Sequence, residues 1–149
     1  MKVRDVIDKC IELLPIDCEK DDLLTCFNIV EGELSLDYFP LYATHKCDAK
    51  TVYYADFEYN PIRIVDCNCK FKIYPQYIEA KNVITEVKYT YFPKKKDIYS
   101  ECEYDEKYFN CLVYGTISEY LISQGFYEEA DLWNRKYKKQ IQELYEVKE

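Results

Sequence analysis

The apolar residues of this chain change their spacing twice, and that switch constrains the fold more than any single motif. Val3, Val6, Ile7, Cys10, Ile11 and Leu14 recur at steps of three and four, the spacing that lines one face of a helix. Pro15 closes that stripe, because the residue before a proline is pushed out of the helical region. Asp17 to Asp22 is polar and acidic, as suits a helix start. A second stripe follows at Leu23, Leu24, Phe27, Val30, Leu34, Tyr38 and Leu41, with Phe39-Pro40 to terminate or bend it. The two stripes predict an antiparallel helical pair over residues 1–47.

From residue 51 the chain favours strands. Thr51 to Phe57 is rich in β-branched and aromatic residues. Ile62 to Asp66 and Lys70 to Tyr74 alternate, and Cys67-Asn68-Cys69 between them reads as a hairpin turn. Tyr77 to Ala80 is short, Lys81-Asn82 reads as another turn, and Val83 to Phe92 reads as a long strand with Val87, Tyr89 and Tyr91 on one face. A small antiparallel sheet of four or five strands is expected over residues 51–93, an ordinary size.

Pro93 and Lys94-Lys95-Lys96 close that stretch, and Asp97 to Asp105 forms an acidic connector. Helical spacing returns at Tyr108, Cys111, Leu112, Gly115, Leu121 and Ile122, and Gly125 sits where a glycine ends a helix. A last stripe carries Ala130, Trp133, Tyr137, Ile141 and Leu144. The Gly115 to Tyr137 segment has a tetratricopeptide flavour, but one copy cannot form a solenoid, so it reads as a helical hairpin within residues 104–149. The expected class is α+β: one domain over residues 1–149, built as a bundle of two N-terminal and two C-terminal helices with a small antiparallel sheet inserted as a lobe.

Charge narrows the functional classes. The 149 residues carry a formal net charge of -8, and neutralising nucleic-acid phosphates requires clustered Lys and Arg instead. The one basic run, Lys94 to Lys96, is short and reads as a solvated loop. No apolar stretch reaches the length of a membrane span, and Met1 to Asp5 alternates charge with apolar residues rather than opening a signal peptide. The expectation is therefore folding in a cytoplasm, with all eight cysteines as free thiols. The 17 tyrosines suit half-buried strand faces and protein interfaces, although codon bias would enrich them equally.

Catalytic chemistry is hard to assemble from what remains. The three glycines, Gly32, Gly115 and Gly125, build no phosphate loop. The single histidine, His45, has no recognisable nucleophile partner. His45, Cys47, Cys67 and Cys69 are the one set with donors suited to zinc, but their H-x-C and C-x-C spacings depart from the usual ligand pairs. The acidic pairs Asp21-Asp22, Glu101/Glu103 and Glu128-Glu129 read as solvated or capping groups. No enzyme, cofactor or metal is expected.

Nearly the whole chain resembles the neck adaptor (head-to-tail connector) proteins of tailed bacteriophages and prophages. The resemblance is carried by the order of its segments. Leu23 to Leu41 ends in Asp37-Tyr38-Phe39-Pro40-Leu41, and Ala55-Asp56-Phe57 and Pro61 to Ile64 follow. Phe71 to Ile78, Val87 to Pro93 and Tyr104-Asp105-Glu106 come next. Tyr114-Gly115, Glu119-Tyr120-Leu121 and Glu129 to Trp133 with Tyr137 complete it. The resemblance implies a structural virion protein, assembled in a bacterial cytoplasm, that forms a ring (commonly of twelve copies) under the portal. Its partners would be the portal protein and further neck or tail proteins, with genomic DNA passing through unbound. It implies no catalytic residues. It also implies portal docking by the C-terminal region, here Trp133 to Glu149, with Trp133, Lys136, Lys138, Lys139 and Tyr145 as interface candidates.

Two ambiguities stay open at this level. Trp133, Tyr137 and Ile141 suit a bundle core as well as an interface, and the sheet tyrosines suit either the lobe's own core or a neighbour in the ring. The competing functions are another phage structural protein, such as a tail-completion or minor capsid subunit, and an intracellular module that uses its helical hairpin to bind protein.

Overall fold

Among the described residues, four α-helices and four strands follow one another as two helices, a sheet, then two helices. The architecture, a computed structural model, is α+β and describes residues 1–148. Its contacts divide the chain into a helical unit, formed by Met1–Glu33 with Lys95–Glu149, and a sheet unit, Leu34–Lys94. Among the described residues no helix is long and apolar enough to cross a membrane.

The helical unit contains α1 (Val3–Leu13), α2 (Lys20–Glu33), α3 (Phe109–Ser123) and α4 (Tyr127–Lys148). α3 is the central helix and packs against the other three. Its sequence explains why: Cys111, Leu112, Val113, Ile117 and Leu121 are all buried, so it is apolar nearly all round. Its buried hydroxyls are satisfied locally, Thr116 by Leu112 O at 2.6 Å and Ser118 by Ala130 O at 3.2 Å. Gly115 lets the backbones close in, since a Cβ there would stand 2.7 Å from Val30 Cγ1 and 2.9 Å from the Tyr137 ring. Gly125 adopts φ +84, and Phe126 N–H returns to Leu121 O at 2.9 Å, which ends α3 and starts α4.

The acidic connector is pinned rather than loose. Val3 N–H donates to Ser100 O and Arg4 N–H to Ile98 O, which satisfies amides at the start of α1 that the helix itself leaves unpaired. Asn28 acts like a strand edge toward Lys96, accepting from its N–H at 2.8 Å and donating to its carbonyl at 3.1 Å. Lys96 is thus not part of a solvated loop. It is 8% exposed, with its ammonium 3.2 Å from Glu31 and 3.0 Å from Glu103.

In the sheet unit β1 (Leu41–Tyr53), β2 (Asn60–Cys67) and β3 (Phe71–Ile73) all pair antiparallel with β4 (Tyr77–Phe92). The core lies on one face, where Val52, Phe57, Ile78, Ile84, Val87, Tyr89 and Tyr91 are buried. Phe57 stacks on Tyr89 at 4.5 Å and Tyr59 on Tyr91 at 4.1 Å.

Three expectations are corrected here. α2 stops at Glu33, a π-helical turn spans Leu34–Tyr38, and Leu41 opens a strand, so residues 41–47 leave the expected helical pair. The inward set Leu41, Ala43, His45 and Cys47 alternates, and Pro40 separates it from the helix. Tyr77 to Phe92 is one unbroken strand with no turn at Lys81-Asn82. Finally, β2 and β3 do not pair with each other as a hairpin, because each takes a different stretch of β4. Asn68 explains the geometry. Its carbonyl accepts from Thr85 N–H at 2.8 Å and its amide donates to Val83 O at 3.2 Å, tying the turn to β4.

Candidate interaction surfaces

The zinc candidates do not assemble. His45 and Cys67 face the same β4 residue, Val87, from opposite sides, so β4 stands between them. His45 instead packs its ring 4.7 Å from Phe57. Cys47 donates to Ile84 O at 3.2 Å and Cys69 to Asn82 O at 3.9 Å, both backbone carbonyls of β4. Among the described residues no group of three or more His, Cys, Asp or Glu is placed to hold a metal.

The described cysteines are free thiols. Burial pushes the Cys26 thiol up to about 11 and those of Cys102 and Cys111 up to about 12. Burial also raises Cys10, whose thiol points at Val113 O. These are the properties of small buried hydrophobes rather than of nucleophiles.

On α4 the interface candidates separate by face. Ala130, Tyr137 and Ile141 are buried and make the bundle contact. Trp133 is half-buried, 5.7 Å from the Tyr114 ring, with the Lys136 ammonium 4.3 Å above it. Lys138 is not a free outward cation, since it lies 5.4 Å from the Tyr137 ring and 3.8 Å from Glu33. Lys139 and Tyr145 are exposed. Glu149, the last residue of the candidate docking segment, lies outside the described residues.

The sheet tyrosines also divide. Tyr89 and Tyr91 belong to the core, while Tyr42 and Tyr53 are about half exposed. Beside the core runs an open groove of about 750 Å³ lined by Phe57, Tyr59, Arg63, Ile73 and Tyr74 among others. The nearby Tyr54 hydroxyl is already committed to backbone carbonyls, 2.7 Å from Tyr74 O and 3.1 Å from Tyr77 O. β2, along this groove, is a bulged edge: its register slips between Pro61 and Arg63 and again between Ile64 and Asp66. Bulges and a proline on an edge discourage strand addition.

A smaller groove of about 360 Å³ lies within the helical unit, lined by Leu13, Leu14, Pro15, Ile16, Leu121, Phe126, Glu129 and Trp133. It could not be read from sequence, because its walls come from segments more than a hundred residues apart. Only Trp133, the chain's one tryptophan, hinted at it.

In comparisons with known proteins, the chain matches no family model and no curated protein.

Proposed function

We propose that this chain is a structural virion protein, a head-to-tail connector subunit that forms a ring beneath a portal and presents a platform to the next neck or tail protein. The observation that carries the reading is the interleaving of two units in one chain. A four-helix unit is interrupted after Glu33 and resumed at Lys95, and the insert is a small antiparallel sheet. That is the layout the neck-adaptor resemblance implies. A closed ring needs two different complementary faces on each subunit, and separate helical and sheet units offer such a pair.

The acidic net charge of -8 supports the same reading, since a DNA conduit must let its cargo slide. Portal docking falls to the outward side of α4. There Leu132, Lys136 and Lys139 are exposed while Tyr137 and Ile141 hold the helix to its neighbours.

The division of α4 gives a clean test. Replacing Lys136 and Lys139 by glutamate changes two exposed side chains and leaves the buried Tyr137 and Ile141 in place. The doubly substituted chain should keep its helical circular dichroism and lose co-purification with the portal protein of the same particle. Unchanged co-purification would overturn the docking role.

A further inference from the structure

The groove between the end of α1 and the α3–α4 turn has the character of a binding site rather than a packing defect. Its floor is the buried pair Leu14 and Leu121. One wall is Leu13, Pro15 and Ile16, where Leu14 leaves the helix in an extended conformation (φ -83, ψ 129) ahead of the proline. The other wall is Phe126 and Trp133, set by the Gly125 turn. Both walls are held by backbone hydrogen bonds, Leu14 N–H to Cys10 O and Phe126 N–H to Leu121 O. The groove is therefore preformed, as ligand-binding concavities usually are.

Its rim is unusually apolar for a surface. Among its lining residues Phe126 is 43% exposed and Ile16 37%. Exposed apolar groups gathered around a concavity mark an interaction surface.

Charge identifies the occupant. Among the described residues Glu129 is the one charged residue lining the groove. Glu128 stands beside it in the chain, and Asp17 and Glu19 follow Ile16; all are exposed, and none makes an ion pair among the described residues. The nearby cations are engaged, Lys136 over Trp133 and Arg135 with Asp131 at 2.9 Å. The groove is apolar with an acidic rim, and carboxylates outnumber the cations beside it.

We propose that this groove docks a short amphipathic segment of another protein, apolar on one face and carrying Lys or Arg, with one cation set against Glu129. This is helix-in-groove recognition with charge complementarity at the rim. It requires no particular identity for the chain and survives failure of the connector reading.

Trp133 makes the test direct, because it is the only tryptophan. Its emission would be followed in the full-length chain during titration with a synthetic amphipathic Leu/Lys peptide and with its Leu/Glu counterpart. Three chains would be compared: the wild type, Glu129→Lys, and Glu79→Lys in the sheet unit as a remote charge control. The groove predicts a saturable change with the Leu/Lys peptide alone. It also predicts weakening by about tenfold or more in Glu129→Lys and wild-type behaviour in Glu79→Lys. Equal weakening by both substitutions would reveal mere attraction to an acidic protein and overturn the proposal. So would equal response to both peptides, no response to either, or a Trp133 signal that shifts with protein concentration alone, which would mean a second copy covers the groove.

Discussion

The Lys96 ammonium lies 3.2 Å from the Glu31 carboxylate, and both side chains are shut away from water inside the helical unit. Glu103 completes the cluster at 3.0 Å from the same ammonium, and its N–H donates to Glu31 at 3.0 Å. One lysine thus offsets two carboxylates while a backbone amide takes up part of the remaining charge. Buried ion clusters contribute little net stability compared with apolar replacements, but losing one member is costly. Their placement here fastens the connector to α2, and through Ser100 and Ile98 it also seats the start of α1.

Lys96→Met should therefore destabilise the chain by about 3–5 kcal/mol, because it leaves the buried Glu31 and the partly buried Glu103 without their cation. Urea denaturation would measure it. Adding Glu31→Gln and Glu103→Gln to Lys96→Met should recover most of the loss.

Glu31 also sets a pH dependence with an unusual sign. Burial pushes its carboxyl above the ordinary value, despite the Glu103 amide and the Lys96 ammonium that oppose the shift. The folded chain therefore holds this proton more tightly than the unfolded chain does. The Glu31 contribution favours folding at low pH and is lost as pH rises from the ordinary glutamate value through the elevated folded one. The stability of wild type relative to Glu31→Gln should fall as pH rises above the ordinary glutamate value of about 4, read by urea midpoints at each pH. A difference that stayed flat or grew would contradict the assignment.

Gly115 and Gly125 should fail for different reasons when changed to alanine. At Gly115 the new methyl would meet Val30 Cγ1 at 2.7 Å and Tyr137 at 2.9 Å. Overpacking of that kind costs about 1–3 kcal/mol, and trimming the neighbour with Val30→Ala should relieve part of it. At Gly125 there is space, with nothing within 4 Å, but φ is +84. The cost there is about 1–2 kcal/mol of backbone strain, which Val30→Ala will not relieve. A double-mutant cycle in thermal melts separates the two.

The buried Cys26 and Cys111 and the half-buried Cys102 should resist alkylation. Iodoacetamide at about pH 7.5 attacks thiolates, and burial raises Cys26, Cys102 and Cys111 to about 11–12. Peptide mass mapping should find these three unlabelled in the native chain and fully labelled in urea.

Much of the helical unit was legible in its spacing. The stripes of α1 and α4 lie on the buried faces, and the glycine at 125 ends its helix by the conformation its position suggested. The errors arose where one pattern fits two periods. Leu34, Tyr38 and Leu41 continue a helical step, yet Leu41 also begins the alternation of β1. The bulges in β2 hid how it pairs, and a 16-residue β4 long enough to take both β2 and β3 is not visible in either partner. Lys96 looked solvated because a run of lysines usually is, and its partners Glu31 and Glu103 are identified only by the folded chain. The zinc set failed for the same kind of reason: proximity in sequence says nothing of the strand between His45 and Cys67.

The connector reading stands or falls on copy number in mature particles. The decisive measurement is quantitative mass spectrometry of density-purified, DNA-filled particles from the source cells, with this chain counted against the portal protein. The account predicts a ratio near one to one, as for a ring stacked on the portal. Absence of the chain from full, infectious particles would contradict it.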